Sequence, residues 1–593
     1  MSGNRNNMFL AIALSAMVIF AWQYFVVTPQ MKADQARQAE LAKQAKKQPG
    51  AAQPGAAPGT VPGMPGGTVV HMSRDAALKQ SGARVAIDSP LLDGSIALKG
   101  AKLDDLRLKK YRETLDPKSA EIVLLAPKGT DYPYYAQFGW IGKNVPTDQT
   151  VWTQQGDGTL SPGHPVTLTW DNGQGLTFTR VIAVDEEYMF SVTDSVSNKS
   201  GAAQTLYPFA YVAREGVPKE QTSWVLHQGF VGVADGSEVD GKYDDFKEEG
   251  TPPKNFSSTG GWVGITDKYW MAAVIPPQSE TYNGAYLGSK LGNDKAYQAN
   301  YRLGARIVAG GAQAQVTHRL FAGAKVVDVL RAYEKKENIA AFDKAVDWGW
   351  FWFLTQPLFW LLDIFYKFIG NFGIAILMLT VVVKILFFPL ANASFKSMSR
   401  MKKVQPYMEE IKKAHKDDPQ RQQQEMMALY KREKVNPLTG CLPMLIQIPV
   451  FFSLYKVLFV TIEMRQAPFY GWIHDLSAPD PTSILNLFGL LPYHIPAFIP
   501  AYLSIGIWPI LMGVTQFVQT KLNPAPTDPV QAKMFTFMPL IFTFMFATFP
   551  AGLVIYYTWN NLLSVTQQYF IMRREGVEVH LLENFKFGKA KAK

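Results

Sequence analysis

Cysteine is nearly absent: Cys441 is the one thiol in 593 residues. That excludes an intramolecular disulfide and any multi-thiolate metal site. It also lets the region before residue 441 occupy an oxidising compartment with nothing to cross-link. Charge is scarce too, at 18% Asp, Glu, Lys and Arg against roughly 25% in an average soluble domain. Neither HExxH nor GxxxxGK followed by Ser or Thr occurs, so zincin and P-loop chemistry are not encoded in recognisable form. No cofactor and no metal site is expected. Acidic residues are also missing from the depths of the long apolar runs.

Aromatic residues, by contrast, make up 13% of the chain, and the apolar mass is concentrated in residues 8–27 and after about 348. The stretch between is polar, alternating and rich in Gly and Thr, as expected of a soluble domain inserted into a membrane protein. The net charge of +10 comes mainly from Lys and Arg flanking apolar runs, the pattern of the positive-inside rule. Anionic lipid and RNA suit a basic surface equally well, so the sum alone does not choose a partner.

The run MFLAIALSAMVIFAWQYFVV has the length a helix needs to cross the hydrocarbon core. Residues 1–28 are read as an uncleaved anchor, because no A-x-A-type cleavage site follows closely; a signal peptide is the rival. The charges after it, Lys32, Arg37, Lys43, Lys46 and Lys47 against Arg5 before it, locally oppose an N-inside orientation. Long translocated domains follow that rule weakly. Residues 29–67 are a linker whose Pro/Gly/Ala-rich part cannot fold, leaving the next domain free to move.

Residues 68–340 alternate between turns, clearest in VTLTW (166–170), LTFTRVIAV (176–184) and YMFSVTDSV (188–196). This pattern predicts a large antiparallel β-sandwich, closed by a helix over 324–336. Asp185, Glu186 and Glu187 are adjacent acids at a strand start, where turn solvation accounts for them better than catalysis does.

Residues 347–369 are aromatic but carry Gln356, Asp363 and Lys367 on one helical face, which suggests a helix lying in the membrane interface. Spanning is the alternative, with Asp363 and Lys367 paired at i, i+4. Spans follow at 371–391, 441–464, 497–520, 534–549 and 553–571, six in all with the first. The strongly basic 392–440 must be cytoplasmic, as must 521–533 and the basic tail 572–593, while 465–496, with Asp475 and Asp480, is periplasmic. Both termini then lie inside and the β domain outside.

Within 392–440, Phe395, Met398, Met401, Val404, Met408 and Ile411 form an apolar stripe. Asp418 and Pro419 are placed as N-cap and N1 of a second helix. A helical hairpin results, with Pro406 expected to kink or restart its first arm; a solvated connector is the bland reading. Lys384 lies mid-span, where a lysine costs about 2.5–3.5 kcal/mol and normally faces protein or a watery cavity; snorkelling to the headgroups is the alternative. Thr380 is one turn earlier on the same face. Gln447, and Tyr557, Asn561, Ser564 and Gln568 spaced four, three, four, could share that cavity or serve ordinary helix packing.

Four strings carry a resemblance: QEMMALYKREKVNPLTGCLPMLIQIPVFFSLY (424–455), RQAPFYGWIHDLSAPDP (465–481), MFTFMP (534–539) and FPAGLVIYY (549–557). Through them the chain resembles, over nearly its whole length, the YidC/Oxa-type membrane protein insertases. The resemblance implies a five-helix core around a hydrophilic groove open to cytoplasm and lipid, and a periplasmic β-supersandwich similar to sugar-mutarotase folds. It puts Lys384 where the family usually has arginine, losing the bidentate fork. It links Phe451 and Tyr557 to substrate contact and the hairpin to client handling. The groove set is therefore Lys384, Thr380, Gln447, Phe451, Tyr557 and Asn561.

The expected activity is insertion and folding of nascent membrane proteins in a Gram-negative inner membrane, alone or with the Sec translocon, without enzymatic chemistry. Expected partners are those clients, membrane lipids, and the translating ribosome and signal recognition pathway through the hairpin and tail. The competitors are a secondary transporter, for which only Lys384 and Lys456 qualify as coupling groups, and a membrane-anchored carbohydrate-active protein using the β domain.

Overall fold

The computed structural model describes residue 61 and residues 71–577, apart from 218–225, 247, 249, 292–293, 434, 436–441, 494, 497 and 525–528. The predicted anchor at 1–28, almost all of the 29–67 linker, Cys441 and the tail beyond 577 lie outside the described residues.

A short helix, α1 (Arg74–Gln80), capped by Ser73, leads into two ten-stranded sheets. The first runs Arg84–Asp88, Leu92–Ala97, Lys102–Arg112, Tyr134–Ile141, Gln204–Glu215, Asp294–Leu303, Thr281–Leu291 and Lys254–Thr259, with two strands off this path. In the second, Gln313–Ala324 pairs with Met189–Asn198, which pairs with Leu176–Val184. Every second residue of Leu176–Val184 is buried, the alternation that lets one strand face serve a core.

Polar groups tie the two sheets together. Tyr134 Oη donates to Ile265 O at 2.7 Å and accepts from Ala272 N at 2.9 Å. Arg214 reaches across to Asp267 at 2.5 Å, while Arg180 and Asp194 form a buried two-point pair within the second sheet, at 2.6 and 2.8 Å. Of the acids at 185–187, Asp185 is explained by the turn: it accepts from Glu187 N, Met189 N and Tyr333 Oη.

The helix closing the domain, α2, spans Val327–Lys336. Its N-cap, Val326, has no side chain able to cap it. Glu463, from the helical part of the chain, does so instead, accepting from Val327 N at 3.0 Å; a carboxylate there also suits the positive end of the helix dipole. Around it, Arg465 and Gln466 donate to Arg112 O, Lys456 pairs with Asp347 at 2.5 Å, and Lys268 sits over the Phe459 ring. The β domain is therefore seated on the helices. The reading from the linker, that it is free to move, is corrected: the tether is only its first connection, and its second is a polar seam.

Helix α3 (Trp352–Ile369) lies along this seam. Its polar face turns to the β domain: Gln356 donates to Asp343, and Lys367 bridges Asp363 and Asp328 at 2.7 and 2.8 Å. Trp352, Phe353 and Trp360 flank that polar strip on the same side of the helix and, like Phe368, are exposed, while Leu358, Phe359 and Leu362 turn inward.

The remaining helices are α4 (Phe372–Leu386), α5 (Phe388–Ala414), α6 (Pro419–Arg432), α7 (Leu442–Val460), α8 (Ile507–Leu522), α9 (Pro529–Phe546) and α10 (Ala551–Arg574). The start of α10 binds the loop near the seam, Ala551 N to Ala478 O and Gly552 N to Leu476 O. At its far end Lys403 of α5 reaches Glu575 O. Helices α8 and α9 approach so closely at Gly513 that a Cβ there would meet Thr543 Oγ1. Among the described residues no single helix is long and apolar enough to cross a membrane; α4 and α5, bent by 69° at their junction, meet that test together.

Several boundaries differ from the sequence reading. The span read at 371–391 breaks at Phe387, because Pro389 restarts the chain as α5. Pro406 does not restart the hairpin's first arm; it sits inside one continuous α5. The span read at 441–464 loses helical form after Val460 and ends in a separate turn, Ile462–Met464. The span read at 497–520 begins only at Ile507, since Pro500 and Gly506 interrupt the apolar run. The last two begin at Pro529 and Ala551. The hairpin packs as its stripe predicts, Val404 and Met408 against Leu429, with Asp418 Oδ1 capping α6 through Arg421 N at 3.0 Å.

Candidate functional site

The bend between α4 and α5 opens a cavity of about 50 Å³ lined by Val383, Lys384, Phe387, Leu390, Ala391, Gln447, Val450 and Asn560. That is room for a few water molecules. Asn371 caps the start of α4, and packing of Ala375, Ile376 and Leu379 sets the face it turns inward. Lys384 Nζ donates to Ser564 Oγ on α10 at 2.6 Å, and Ser564 in turn donates to Asn560 O at 2.8 Å. On the opposite wall Gln447 of α7 donates to Tyr556 Oη at 2.7 Å. The lining offers one cation, two amides and no carboxylate. A half-buried charge with no carboxylate in its cavity lining is left with a desolvation cost that an acidic guest would relieve.

Lys384 and Gln447 thus share the cavity. Phe451 and Tyr557 meet each other, ring centroids 5.5 Å apart, in an aromatic cluster with Phe546. Thr380 and Asn561 point elsewhere: the Thr380 hydroxyl donates to Ile376 O on its own helix at 2.7 Å, and Asn561 donates to Gln516 of α8 at 3.0 Å. Gln568 likewise ties α10 to Asn523. Of the predicted stripe only Ser564 meets Lys384; Tyr557 joins the aromatic cluster, and Asn561 and Gln568 pack the bundle. With Ser564, the residues serving the cavity are Tyr556 and Asn560, spaced by four and not in the stripe. Counting back one turn from Ser564, rather than forward from Tyr557, would have found Asn560.

Two family models match, the YidC periplasmic domain over residues 84–361 and the 60Kd inner membrane protein over 364–577. The membrane protein insertase YidC of Methylobacterium radiotolerans is 54% identical, with 99% of this chain and 97% of the relative covered. That of Rhizobium meliloti is 52% identical, covering 98% of each. The chain belongs to the YidC family of membrane protein insertases. In YidC terms, the first model takes in the β sandwich, α2 and the start of α3, and the second the helices around the cavity. A crystal structure of an active YidC insertase is similar at 17% identity and TM-score 0.35, covering 86% of this chain and 95% of its own. A galactose mutarotase-like protein from Lactobacillus casei is similar at 12% identity and TM-score 0.26, over 40% of this chain and all of its own. Family membership rests on the sequence matches alone.

Proposed function

We propose that this chain inserts membrane proteins into the bacterial inner membrane, and that the cavity at the α4–α5 bend is where a client's polar flank is received. The observation that carries the site is the Lys384 ammonium, hydrogen-bonded only to a neutral hydroxyl among the described residues, in a cavity whose lining includes no carboxylate. Its bond to Ser564 on a neighbouring helix supports an inward role over snorkelling. Two unit charges 4 Å apart attract by about 4 kcal/mol at an effective dielectric of 20, enough to offset part of the desolvation of an acidic flank. The cavity belongs to a groove that shortens the apolar path, and Phe451 and Tyr557 hold the client's apolar part beside it.

The rest of the reading follows the charge pattern. Six spans leave both termini and the α5–α6 hairpin cytoplasmic, where hairpin and basic tail meet the translating ribosome and signal recognition pathway, and some clients arrive through the Sec translocon. A transporter reading is disfavoured because Lys456, its second candidate coupling group, is paired with Asp347 at the seam. The carbohydrate reading loses Asp185, whose oxygens are engaged by the turn and by Tyr333.

The test is insertion into proteoliposomes containing this protein alone, using two single-span clients that differ only in flank charge. Lys384→Arg should retain activity, Lys384→Ala should slow the acidic-flanked client about tenfold more than the neutral one, a difference of ~1.4 kcal/mol, and Lys384→Glu should be worst. Equal losses for both clients would sink the charge-pairing role.

A further inference from the structure

From residue 481 to residue 520 the sequence contains no Asp, Glu, Lys or Arg. Helix α8 occupies only the second part of that run. The first part is a loop closed at its neck, where Ile484 N bonds Ile505 O at 2.8 Å. The neck is fixed to the helix by a buried aspartate: Asp480 accepts from Trp508 N at 2.9 Å and from Trp472 Nε1 at 3.1 Å, while Thr482 Oγ1 accepts from Ile507 N at 3.0 Å. Inside the loop, backbone groups find partners in the loop itself, Phe488 N with Ser483 O and Leu491 N with Asn486 O. Gly489 N donates to Asn486 Oδ1, and Tyr493 Oη donates to Leu485 O. Its apolar side chains point outward instead: Leu490 is 82% and Phe498 85% exposed, with Leu487, Tyr493 and Tyr502 about half exposed.

We propose that residues 484–505 bed their apolar side chains in the lipid interface on the β-domain side of the membrane, as a wedge beside α8 and α9. The inference rests on the reading above that these helices span the bilayer. Three observations choose lipid over a protein partner. The loop offers no Asp, Glu, Lys or Arg with which a partner could be recognised, whereas protein interfaces carry a polar rim with specific hydrogen bonds. Its backbone bonds are turned inward, as a low-dielectric surrounding demands, and tyrosines beside leucine and phenylalanine suit the headgroup boundary. The surface also continues an apolar one: the Ala501–Leu503 turn packs on α9, whose Phe537 and Ile541 are exposed, as are Leu511 and Val514 of α8. The neck lies where α10 also begins, since Ala478 and Leu476 hold that helix's start. That is the end of the bundle carrying the Arg112 and Val327 contacts to the β domain.

The test uses the full chain with Cys441→Ser, reconstituted in phosphatidylethanolamine–phosphatidylglycerol vesicles and spin-labelled one position at a time. The sites are Leu490→Cys and Phe498→Cys in the loop, Phe537→Cys on α9 as the lipid reference, and Asp157→Cys on the β domain as the water reference. Collision rates with oxygen, which concentrates in lipid, are compared with those of a water-soluble nickel chelate. The loop labels should give an oxygen-to-nickel ratio severalfold above that at Asp157 and close to that at Phe537. Nickel access equal to that at Asp157 would overturn the proposal, and so would exclusion of both reagents, which would mean that protein covers the loop. A watery reading at Phe537 as well would instead overturn the membrane placement of the helices.

Discussion

Charge is handled in opposite ways at one place in each half of the molecule, the core of the β sandwich and the α4–α5 bend. In the β domain Arg180 meets Asp194, Arg214 meets Asp267 and Arg84 meets Asp104, each cation neutralised by a carboxylate the sheets supply. At the bend Lys384 donates to a hydroxyl, and the cavity lining beside it holds amides and no carboxylate. A paired charge fixes architecture and has nothing left to offer a visitor. A cation among neutral dipoles is held in place with no opposite charge beside it, the state that the proposed brief grip on a client's flank would use.

The sharpest way to break this comparison is to unpair a charge in the first half. Arg180→Leu strands the Asp194 carboxylate between the sheets and should destabilise the β domain by about 3–5 kcal/mol, read by pulse proteolysis of the intact protein. Lys384→Met should leave the helical half within about 1 kcal/mol of its starting stability, because no partner charge is stranded. Equal losses would erase the distinction.

Next in size is a pH effect confined to the β domain. His318 is fully buried, with Nδ1 against Tyr301 Oη at 2.6 Å, and burial lowers its pKa to about 4. The unfolded chain takes up the proton near 6.5, so between those values it binds more protons than the folded state. Stability is therefore full above about pH 6.5 and falls as the pH drops toward 4, by roughly 3 kcal/mol. His318→Asn should flatten that slope, measured by denaturant titration across the window, while the Lys384 variants should leave it unchanged.

The smallest expected effect lies in the hairpin. Asp418→Ala removes the cap on α6 and should cost about 1 kcal/mol locally. Hydrogen exchange should quicken in the first turn of α6 and not in the β domain.

What could be read in advance follows the range of the interactions. Strand alternation at Leu176–Val184 and the Asp418–Pro419 helix start are local, and both stand in the structure as the sequence implies. The β sandwich and its closing helix were legible for the same reason. The late start of α8 was not, because loop and helix there are equally apolar and only Pro500 and Gly506 separate them. Nor were the cross-sheet pair of Arg214 with Asp267 or the trans cap of Glu463 on α2, which join residues far apart in the chain. At the cavity, the cation was visible as a lysine within an apolar run, but it was read as mid-span and stands instead in the last turn of α4, beside the bend. Which of the two neighbouring asparagines faces it depends on helix rotation, set by packing that a polar pattern does not encode: Asn560 lines the cavity, and Asn561 binds α8.

The carboxylate that caps α2 lies 136 residues downstream of Val327. A ribosome adding about 5–20 residues per second needs on the order of 10 s to make that stretch. Throughout that interval the sandwich can close its sheets, yet the first turn of its last helix lacks the acceptor it will finally use. The outer module is therefore born before its seat and finished after it. Its docking reports that the chain has been made at least through α7, so in this protein completion of the β domain is timed by the helical part.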